Sequence, residues 1–158
     1  VEILINSDDG TKYIGKKRNE LLAQAKGQYV AFVDDDDLVS SDYVSKILDA
    51  INKSNPDVIG MHLIMTTDKV IEEKTFHSLK YKSWFDEPDP DRPWLKRYYR
   101  NPNHLNPVKR ELALETGYPD SNTGEWEDRY YSRRLLPHLK TEEYIEQPIY
   151  YYDFRTKK

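Results

Sequence analysis

Residues 29–37 have the sequence YVAFVDDDD, in which a short apolar run passes directly into four consecutive aspartates. The apolar part is typical of a buried strand, and the aspartates follow at its carboxyl end. Open α/β sheets bind their ligands beyond the carboxyl ends of their strands. Adjacent carboxylates repel one another unless a cation neutralises them, and oxygen ligands suit Mg²⁺ or Mn²⁺. The run therefore predicts a divalent-cation site, with an acidic turn that caps the next helix as the alternative.

Segments on both sides of this run predict alternating strands and helices. Residues 1–5 (VEILI) have the apolar composition of a buried strand, and residues 14–26 have the apolar spacing of a helix that ends at Gly27. A second helix is predicted over about 42–53 and a third strand over about 57–66. The resulting order, β-α-β-α-β, is typical of a mostly parallel sheet flanked by helices.

The second half of the chain differs from the first in composition and in the length of its predicted elements. Residues 86–93 (DEPDPDRP) are rich in proline and aspartate, which predicts an exposed loop. The remaining predicted elements are short: helices near 110–116 and 126–136, and strands near 104–109, 140–145 and 148–153. No repeat or low-complexity linker divides the sequence, so we expect one α/β domain over residues 1–158.

Composition excludes several classes of protein. The 158 residues include no cysteine, which excludes disulfides, zinc–thiolate sites and cysteine nucleophiles. The formal net charge of −4 argues against a nucleic-acid partner, because such proteins usually carry a basic excess. No apolar run approaches the ~20 residues that a transmembrane helix needs, and no signal peptide is visible. From these features we expect a soluble, cytoplasmic protein.

Four motifs along the first 37 residues resemble, in the same order, the nucleotide-binding half of the family 2 glycosyltransferases. They are SDDGT at 7–11, RN at 18–19, AKGQY at 25–29 and DDD at 34–36. The later stretch 104–137 resembles the acceptor half of that family, which contains a Glu-Asp pair at the head of a helix. The family normally begins with a further strand and helix that contact the nucleotide, and no segment here matches them.

The resemblance implies a GT-A fold, with residues 1–73 as the nucleotide-sugar-binding half and residues 74–158 as the acceptor-binding and catalytic half. It also implies an inverting transfer of one sugar. The donor would be a nucleotide-diphosphate sugar, with a UDP-sugar favoured, and the acceptor a glycan or other hydroxyl compound. The implied cofactor is Mn²⁺ or Mg²⁺.

Carried over by motif, three residues would contact the donor from the start of the chain. Asp8 and Asp9 would lie near the nucleotide base, where a carboxylate can accept the imide proton of uracil. The alternative for this pair is a turn that caps a helix. Arg18 would meet the diphosphate or the ribose, and its alternative is a solvated charge on the helix surface.

The aspartate run receives its roles in the same way. Asp34 would contact the ribose side of the donor and also help to bind the metal, and Asp36 would be the main metal ligand. Asp35 is assigned to the nucleotide sugar. Because the run contains four aspartates, Asp35 and Asp37 remain rivals of Asp36 for the ligand role.

The Glu-Asp pair of the acceptor half is Glu127 and Asp128, and the resemblance implies that both are catalytic. Asp128 would be the general base that takes a proton from the acceptor. The alternative is that both acids only complement the positive end of a helix. The family commonly has Gly directly before this pair, whereas here Gly124 is followed by two more residues, so Glu125 is a possible competitor as the base.

Two further residues are candidates for contact with the acceptor. His104 stands where the family's acceptor segment begins, and its alternative is a structural histidine with satisfied hydrogen bonds. Trp126 could stack on a sugar, and its alternative is packing in the core.

Two rival functions remain open from sequence. One is a non-catalytic carbohydrate- or partner-binding domain of the same fold. The other is a nucleotidyltransferase, against which the Glu-Asp helix argues.

Overall fold

The structure is a computed structural model that describes residues 1–154. Four α-helices occur in this part of the chain: α1 (Ile14–Gln24), α2 (Tyr43–Ser54), α3 (Arg110–Thr116) and α4 (Glu127–Leu135), the last followed by a 3₁₀ turn at Leu136–His138. Eight strands form one sheet: β1 (Tyr29–Val30), β2 (Leu38–Val39), β3 (Val58–Thr67), β4 (Ile71–His77), β5 (Phe85–Pro88), β6 (Lys96–Arg100), β7 (Val108–Lys109) and β8 (Glu142–Phe154). The last four residues of the expected half 74–158 lie outside the described residues.

Strand β3 is the centre of the sheet because it pairs along most of its length on both sides. On one side it runs antiparallel to β4. On the other side it runs parallel to β8, with a shift of register between Met61 and Leu63. The sheet continues from β4 through β6 to β5, and β7 and β1 extend it near the start of β3. Strand β2 pairs with β8, so the segment after the four aspartates is attached to the last strand.

The expected α/β class, with a sheet flanked by helices, is confirmed, but the sheet is mixed rather than mostly parallel. Within residues 1–154, β3–β8 and β4–β6 are the parallel pairs, and the other five pairs are antiparallel. Strands β3 and β4 reverse direction at a tight turn in which Asp68 and Lys69 have φ of 50° and 59°. A short connection of this kind forces antiparallel neighbours, whereas parallel ones need a long crossover.

Residues 1–5 do not form the expected strand. Val1 is 94% exposed, and Ile3 and Ile5 are each 85% exposed. A strand is stable only when its backbone groups find partners in a neighbouring strand. Among residues 1–154 no strand pairs with this segment, and its one anchored side chain is Glu2, which accepts hydrogen bonds from the amides of Lys26 and Gly27.

The proline-rich segment 86–93 is also more ordered than expected. Its first residues belong to β5, and Asp89 is almost fully buried. The carboxylate of Asp89 accepts hydrogen bonds from Nε of Arg97 and from the amides of Asp91 and Arg92. These bonds replace water around the charge, which explains how a carboxylate can be buried in a loop.

Two apolar clusters hold the helices on the sheet. The first joins α2 to β3 and β8, and contains Tyr43, Ile47, Ala50, Ile59, Met61, Leu63, Leu105, Ile145, Ile149 and Tyr150. The second joins α1, α3 and α4 around the start of β3, and contains Leu22, Val58, Val108, Ala113, Tyr118, Tyr131, Leu135 and Leu139. The second cluster therefore fixes α1 and α4, one from each half of the chain, beside each other.

Gly15 permits the close approach of α1 to the segment before α4. A methyl group added at Gly15 would lie 1.8 Å from the backbone carbonyl oxygen of Pro119. We expect Gly15→Ala to lower the free energy of unfolding by about 1–3 kcal/mol, because a backbone atom cannot move aside as a side chain can. This loss exceeds the ~1 kcal/mol by which Ala normally favours a helix over Gly. Urea denaturation measures it.

The control is Lys16→Ala, at the next and exposed position of α1. It should change the free energy of unfolding by no more than about 0.5 kcal/mol. A Gly15→Ala protein as stable as the wild type would show that this contact is not tight.

Candidate active site

The four aspartates form a turn, the aspartate turn (residues 34–37), that displays its two middle carboxylates. The amide of Asp37 donates to the carbonyl of Asp34 at 3.1 Å and closes the turn. Asp35 and Asp36 are exposed at its tip, whereas Asp37 is buried. The hydroxyl of Tyr150, on β8, donates to Oδ2 of Asp37 at 2.6 Å and accepts from the amide of Asp34 at 3.2 Å.

Burial separates Asp37 from its exposed neighbours. Burial raises the pKa of Asp37 to about 6, although the hydrogen bond from Tyr150 opposes the rise. Its second carboxylate oxygen accepts from the amide of Asp153 at 3.3 Å. Both oxygens of Asp37 therefore hold the turn to β8, and this leaves Asp36 and its rival Asp35 as the carboxylates that face solvent.

Arg18 joins the aspartate turn to α4. Its side chain comes from α1 and is buried, with the residue only 5% exposed. The guanidinium donates to Oε2 of Glu127 at 2.5 Å and to Oδ1 of Asp34 at 2.8 Å. It lies 5.7 Å from the ring centres of both Phe32 and Tyr118. Burial alone would lower the pKa of Arg18, but the charges of Glu127 and Asp34 more than offset it and raise the pKa.

These contacts contradict the alternative of a solvated helix charge for Arg18. We call Arg18, Asp34, Glu127 and His104 the Arg18 network. Nε2 of His104 lies 3.3 Å from Oδ2 of Asp34, and His104 is itself buried. Burial would raise the pKa of Asp34, but its hydrogen bond with His104 and the positive charge of Arg18 hold that pKa well below its usual range. Asp34 is therefore ionised near neutral pH.

The two members of the Glu-Asp pair face different surroundings. Glu127 is buried and bonded within the Arg18 network. Asp128 is half-buried, and its carboxylate accepts from the amide of Arg129 at 2.7 Å but forms no ion pair within residues 1–154. Glu125, the competitor, forms an exposed ion pair with Arg133 at 3.0 Å. Of these three acids, Asp128 has the carboxylate most available to a substrate.

Tyr152, on β8, is affected by the charges of both the aspartate turn and Asp128. Burial, together with the negative charges of Asp37, Asp128, Asp36 and Asp34, raises the pKa of Tyr152 to about 12. Charges act in this way only over short distances. The charges of the aspartate turn and of Asp128 therefore act on one tyrosine of β8, a residue that sequence reasoning missed.

Asp8 and Asp9 lie in the turn before α1. Asp8 accepts from the amide of Lys12 at 2.8 Å and from Nζ of Lys17 at 3.0 Å. Asp9 accepts from the amide and hydroxyl of Thr11. In the described part of the chain, no hydrogen bond or ion pair joins either carboxylate to the aspartate turn or to the Arg18 network. The hydrogen bonds of Asp8 and Asp9 match the alternative prediction for this pair, an acidic turn ahead of a helix.

The two acceptor candidates also occupy different places. Trp126 is 73% exposed directly before α4, so it does not pack in the core. His104 is buried in the Arg18 network, as the alternative prediction of a structural histidine requires. However, Nδ1 of His104 and Oε1 of Glu127 are buried with no hydrogen-bond partner among residues 1–154. The network therefore has polar groups that its protein contacts do not satisfy.

The aspartate turn fits a divalent cation only with help from a ligand. No group of three or more His, Asp or Glu side chains within residues 1–154 is placed to hold a metal ion. Both oxygens of Asp34 are already engaged, and Asp36 offers one exposed carboxylate. Mg²⁺ is usually held by one or two carboxylates together with substrate phosphates. The donor set therefore suits a cation that a diphosphate brings with it.

The sequence pattern of the family described as Glycosyl transferase family 2 matches residues 4–112. The chain belongs to this family. The match covers α1, the aspartate turn, the sheet up to β7 and the start of α3, and so confirms the resemblance seen in the motifs. Comparison with curated protein sequences finds no match.

Solved structures of S. aureus TarS share the fold of this family 2 chain. The fragment 1–349 superposes with a TM-score of 0.62 at 17% identity, over 88% of this chain and 40% of that one. The same fragment in complex with UDP-GlcNAc gives a TM-score of 0.63 at 17% identity, over 91% and 40%. TarS itself gives 0.61 at 16% identity, over 88% and 24%. The chain thus spans less than half the length of these structures.

The helices of residues 1–154 include none that is long and apolar enough to cross a membrane.

The Arg18 network makes a prediction about stability. Arg18→Met keeps most of the apolar stem but leaves Glu127 as a buried carboxylate with no opposite charge. We expect it to lower the free energy of unfolding by about 3–5 kcal/mol, the usual cost of breaking a buried ion pair. Adding Glu127→Gln should restore part of that loss, because it removes the uncompensated charge. Urea denaturation measures both proteins.

Lys16→Met, two residues away and exposed, is the matched control and should stay close to the wild type. Equal stability of the Arg18→Met and Lys16→Met proteins would mean that the buried ion pairs contribute nothing net.

Proposed function

We propose that this protein is a glycosyltransferase that moves one sugar from a nucleotide-diphosphate sugar to an acceptor hydroxyl with inversion, assisted by a divalent cation. The observation that carries the proposal is the Arg18 network, which joins Asp34 of the aspartate turn to Glu127, the residue directly before Asp128. The aspartate turn offers carboxylates suited to a cation–diphosphate complex, and Asp128 offers a half-buried carboxylate suited to a base. Membership of glycosyl transferase family 2 supports the reaction class.

On the donor side, Asp36 would contribute a carboxylate to Mn²⁺ or Mg²⁺, and Asp35 lies beside it. When bound, the cation would supply positive charge to the diphosphate leaving group. Asp34 and Arg18 hold the turn in place from beneath through their ion pair. A UDP-sugar is the favoured donor, because the TarS fragment with the same fold is found in complex with UDP-GlcNAc.

On the acceptor side, Asp128 would take the proton of the acceptor hydroxyl. The hydroxyl oxygen then forms a bond to the anomeric carbon from the face opposite the leaving group, and the bond from that carbon to the diphosphate oxygen breaks. The proton ends on Asp128 and the electron pair on the nucleotide diphosphate, so one displacement inverts the anomeric centre. Glu127 does not compete as the base, because Arg18 holds it in the protein interior.

The role of Asp128 is tested by Asp128→Asn, which keeps the shape of the side chain and removes its basicity. Positioned proton transfer is worth about 10²–10⁴-fold in rate, so turnover with UDP-GlcNAc should fall by roughly that factor while the affinity for UDP stays near that of the wild type. A coupled assay for released UDP and calorimetric titration with UDP measure the two quantities.

Glu125→Gln is the control, since it removes the competing acid two residues before the pair. It should leave turnover close to the wild-type value. If Glu125→Gln abolishes transfer and Asp128→Asn does not, Glu125 is the base. If the wild type binds UDP but releases no product with any sugar or acceptor, a non-catalytic binding domain is the better description.

The role of Asp36 is tested by its effect on metal-dependent binding. Asp36→Asn should lower the affinity for UDP in the presence of Mn²⁺ by about tenfold or more, because an amide is a poorer ligand for a hard cation than a carboxylate. In the presence of EDTA the variant and the wild type should bind UDP equally. Isothermal titration calorimetry under both conditions provides the comparison.

Asp35→Asn is the matched control on the same exposed turn and should have the smaller effect. The reverse order would assign the ligand role to Asp35. Equal affinity of the wild type with Mn²⁺ and with EDTA would remove the cation from the proposed function.

A further inference from the structure

We propose that Tyr150 is a positioning residue of the donor site, whose phenol holds the aspartate turn in the shape that presents Asp35 and Asp36. The proposal rests on the proposed function and adds to it a residue that none of the sequence motifs contains. Tyr150 lies on β8, is fully buried, and comes 113 residues after Asp37.

One hydroxyl holds both ends of the turn. The phenol of Tyr150 donates to Oδ2 of Asp37 at 2.6 Å and accepts from the amide of Asp34 at 3.2 Å. Asp34 and Asp37 are the first and fourth residues of the turn that their own backbone bond closes. Because the phenol fixes these two residues, the two between them project outward together.

The backbone around the turn is attached to the same strand. Leu38 and Val39, directly after the turn, pair with β8 at Tyr151 and Tyr150. The amide of Ser40 donates to the carbonyl of Ile149 at 3.0 Å. These bonds bring the chain back to β8 after the turn. Residues 34–37 themselves are attached to β8 through the side chains of Tyr150 and Asp37.

Electrostatics explain why the turn needs this hydrogen bond. Four neighbouring carboxylates repel one another, and a buried carboxylate without a donor is costly. The phenol satisfies the buried oxygen of Asp37 and so allows that side chain to stay beneath the turn. Without the phenol, Oδ2 of Asp37 has no donor and only Oδ1 keeps its bond from the amide of Asp153. We therefore expect Asp37 to move toward water, and Asp35 and Asp36 to lose their fixed spacing with it.

A second buried tyrosine in the same apolar cluster provides a matched control. Tyr43, on α2, is buried beside Tyr150, with their ring centres 6.4 Å apart. Its hydroxyl has no hydrogen-bond partner among residues 1–154. Tyr43→Phe therefore removes one hydroxyl from the same core without touching the aspartate turn, whereas Tyr150→Phe removes the hydroxyl that holds it.

The test compares these two variants with the wild type by two measurements. The first is hydrogen–deuterium exchange of the peptide that covers residues 34–37. The second is calorimetric titration with UDP, with MnCl₂ and with EDTA. For Tyr150→Phe we expect faster exchange in that peptide and an affinity for UDP about tenfold weaker with Mn²⁺ but unchanged with EDTA. For Tyr43→Phe we expect wild-type values of both.

A merely structural role would not produce this pattern, because general destabilisation would affect UDP binding with and without Mn²⁺ alike. The coupling of Tyr150 to Asp37 is tested with Asp37→Ala, alone and combined with Tyr150→Phe. If the two residues act as one unit, the double variant loses no more metal-dependent affinity than the single variant with the larger loss. The proposal is overturned if the losses of affinity in the two single variants add up in the double variant. It is also overturned if Tyr150→Phe and Tyr43→Phe show the same hydrogen–deuterium exchange and the same affinity for UDP.

Failure of the proposed function is distinguishable from failure of this inference. If wild-type protein does not bind UDP under either condition, the proposed function fails, and the role in a donor site is overturned with it. If wild-type protein binds UDP with Mn²⁺ and Tyr150→Phe binds it equally well, only the positioning role is overturned. Should Tyr150→Phe not fold, Asp37→Ala measured in the same way decides between these outcomes.

Discussion

The buried guanidinium of Arg18 is the interaction on which the rest of the site depends. It bridges Asp34, in the half that the motif resemblance predicts to bind the nucleotide sugar, and Glu127, at the head of the helix that carries Asp128. A charge taken out of water needs opposite charges and hydrogen bonds around it, so α1, the aspartate turn and α4 can adopt few other arrangements without leaving it unpaired. The ion pairs thus specify where the parts lie, whatever they add to stability.

This arrangement divides the acids of the site into those that hold the structure and those that face solvent. Asp34 and Glu127 are bound by Arg18, and Asp37 is bound by Tyr150. Asp36 and Asp128 are left with carboxylates that a substrate can reach. In each motif, at least one acid therefore anchors the backbone, and a neighbour within two residues presents its carboxylate to solvent. A run of adjacent acids can thus both hold a backbone turn and present a carboxylate to solvent.

The sequence predicted the parts of the site that are adjacent along the chain. The aspartate turn and the acids at the start of α4 follow from local patterns that need no knowledge of the fold. The contact of Arg18 with Glu127, 109 residues apart, depends on how α1 and α4 pack. The failed strand at residues 1–5 has a similar reason, since apolar composition shows that a segment favours burial but not that a partner strand exists. The turn between β3 and β4 places Asp68 and Lys69 at positive φ, a conformation for which glycine is the more usual residue.

The attachment of the aspartate turn to β8 has a consequence for how the protein is made. The turn emerges from the ribosome long before Tyr150, which follows Asp37 by 113 residues, and β3 must likewise wait for its parallel neighbour. Contacts so distant along the chain form slowly, because a long loop has to close before they give any stability. During that interval the carboxylates of the turn have no phenol to order them. The ordered shape of the aspartate turn is therefore acquired as one of the last steps of folding, when β8 supplies the buried hydroxyl of Tyr150.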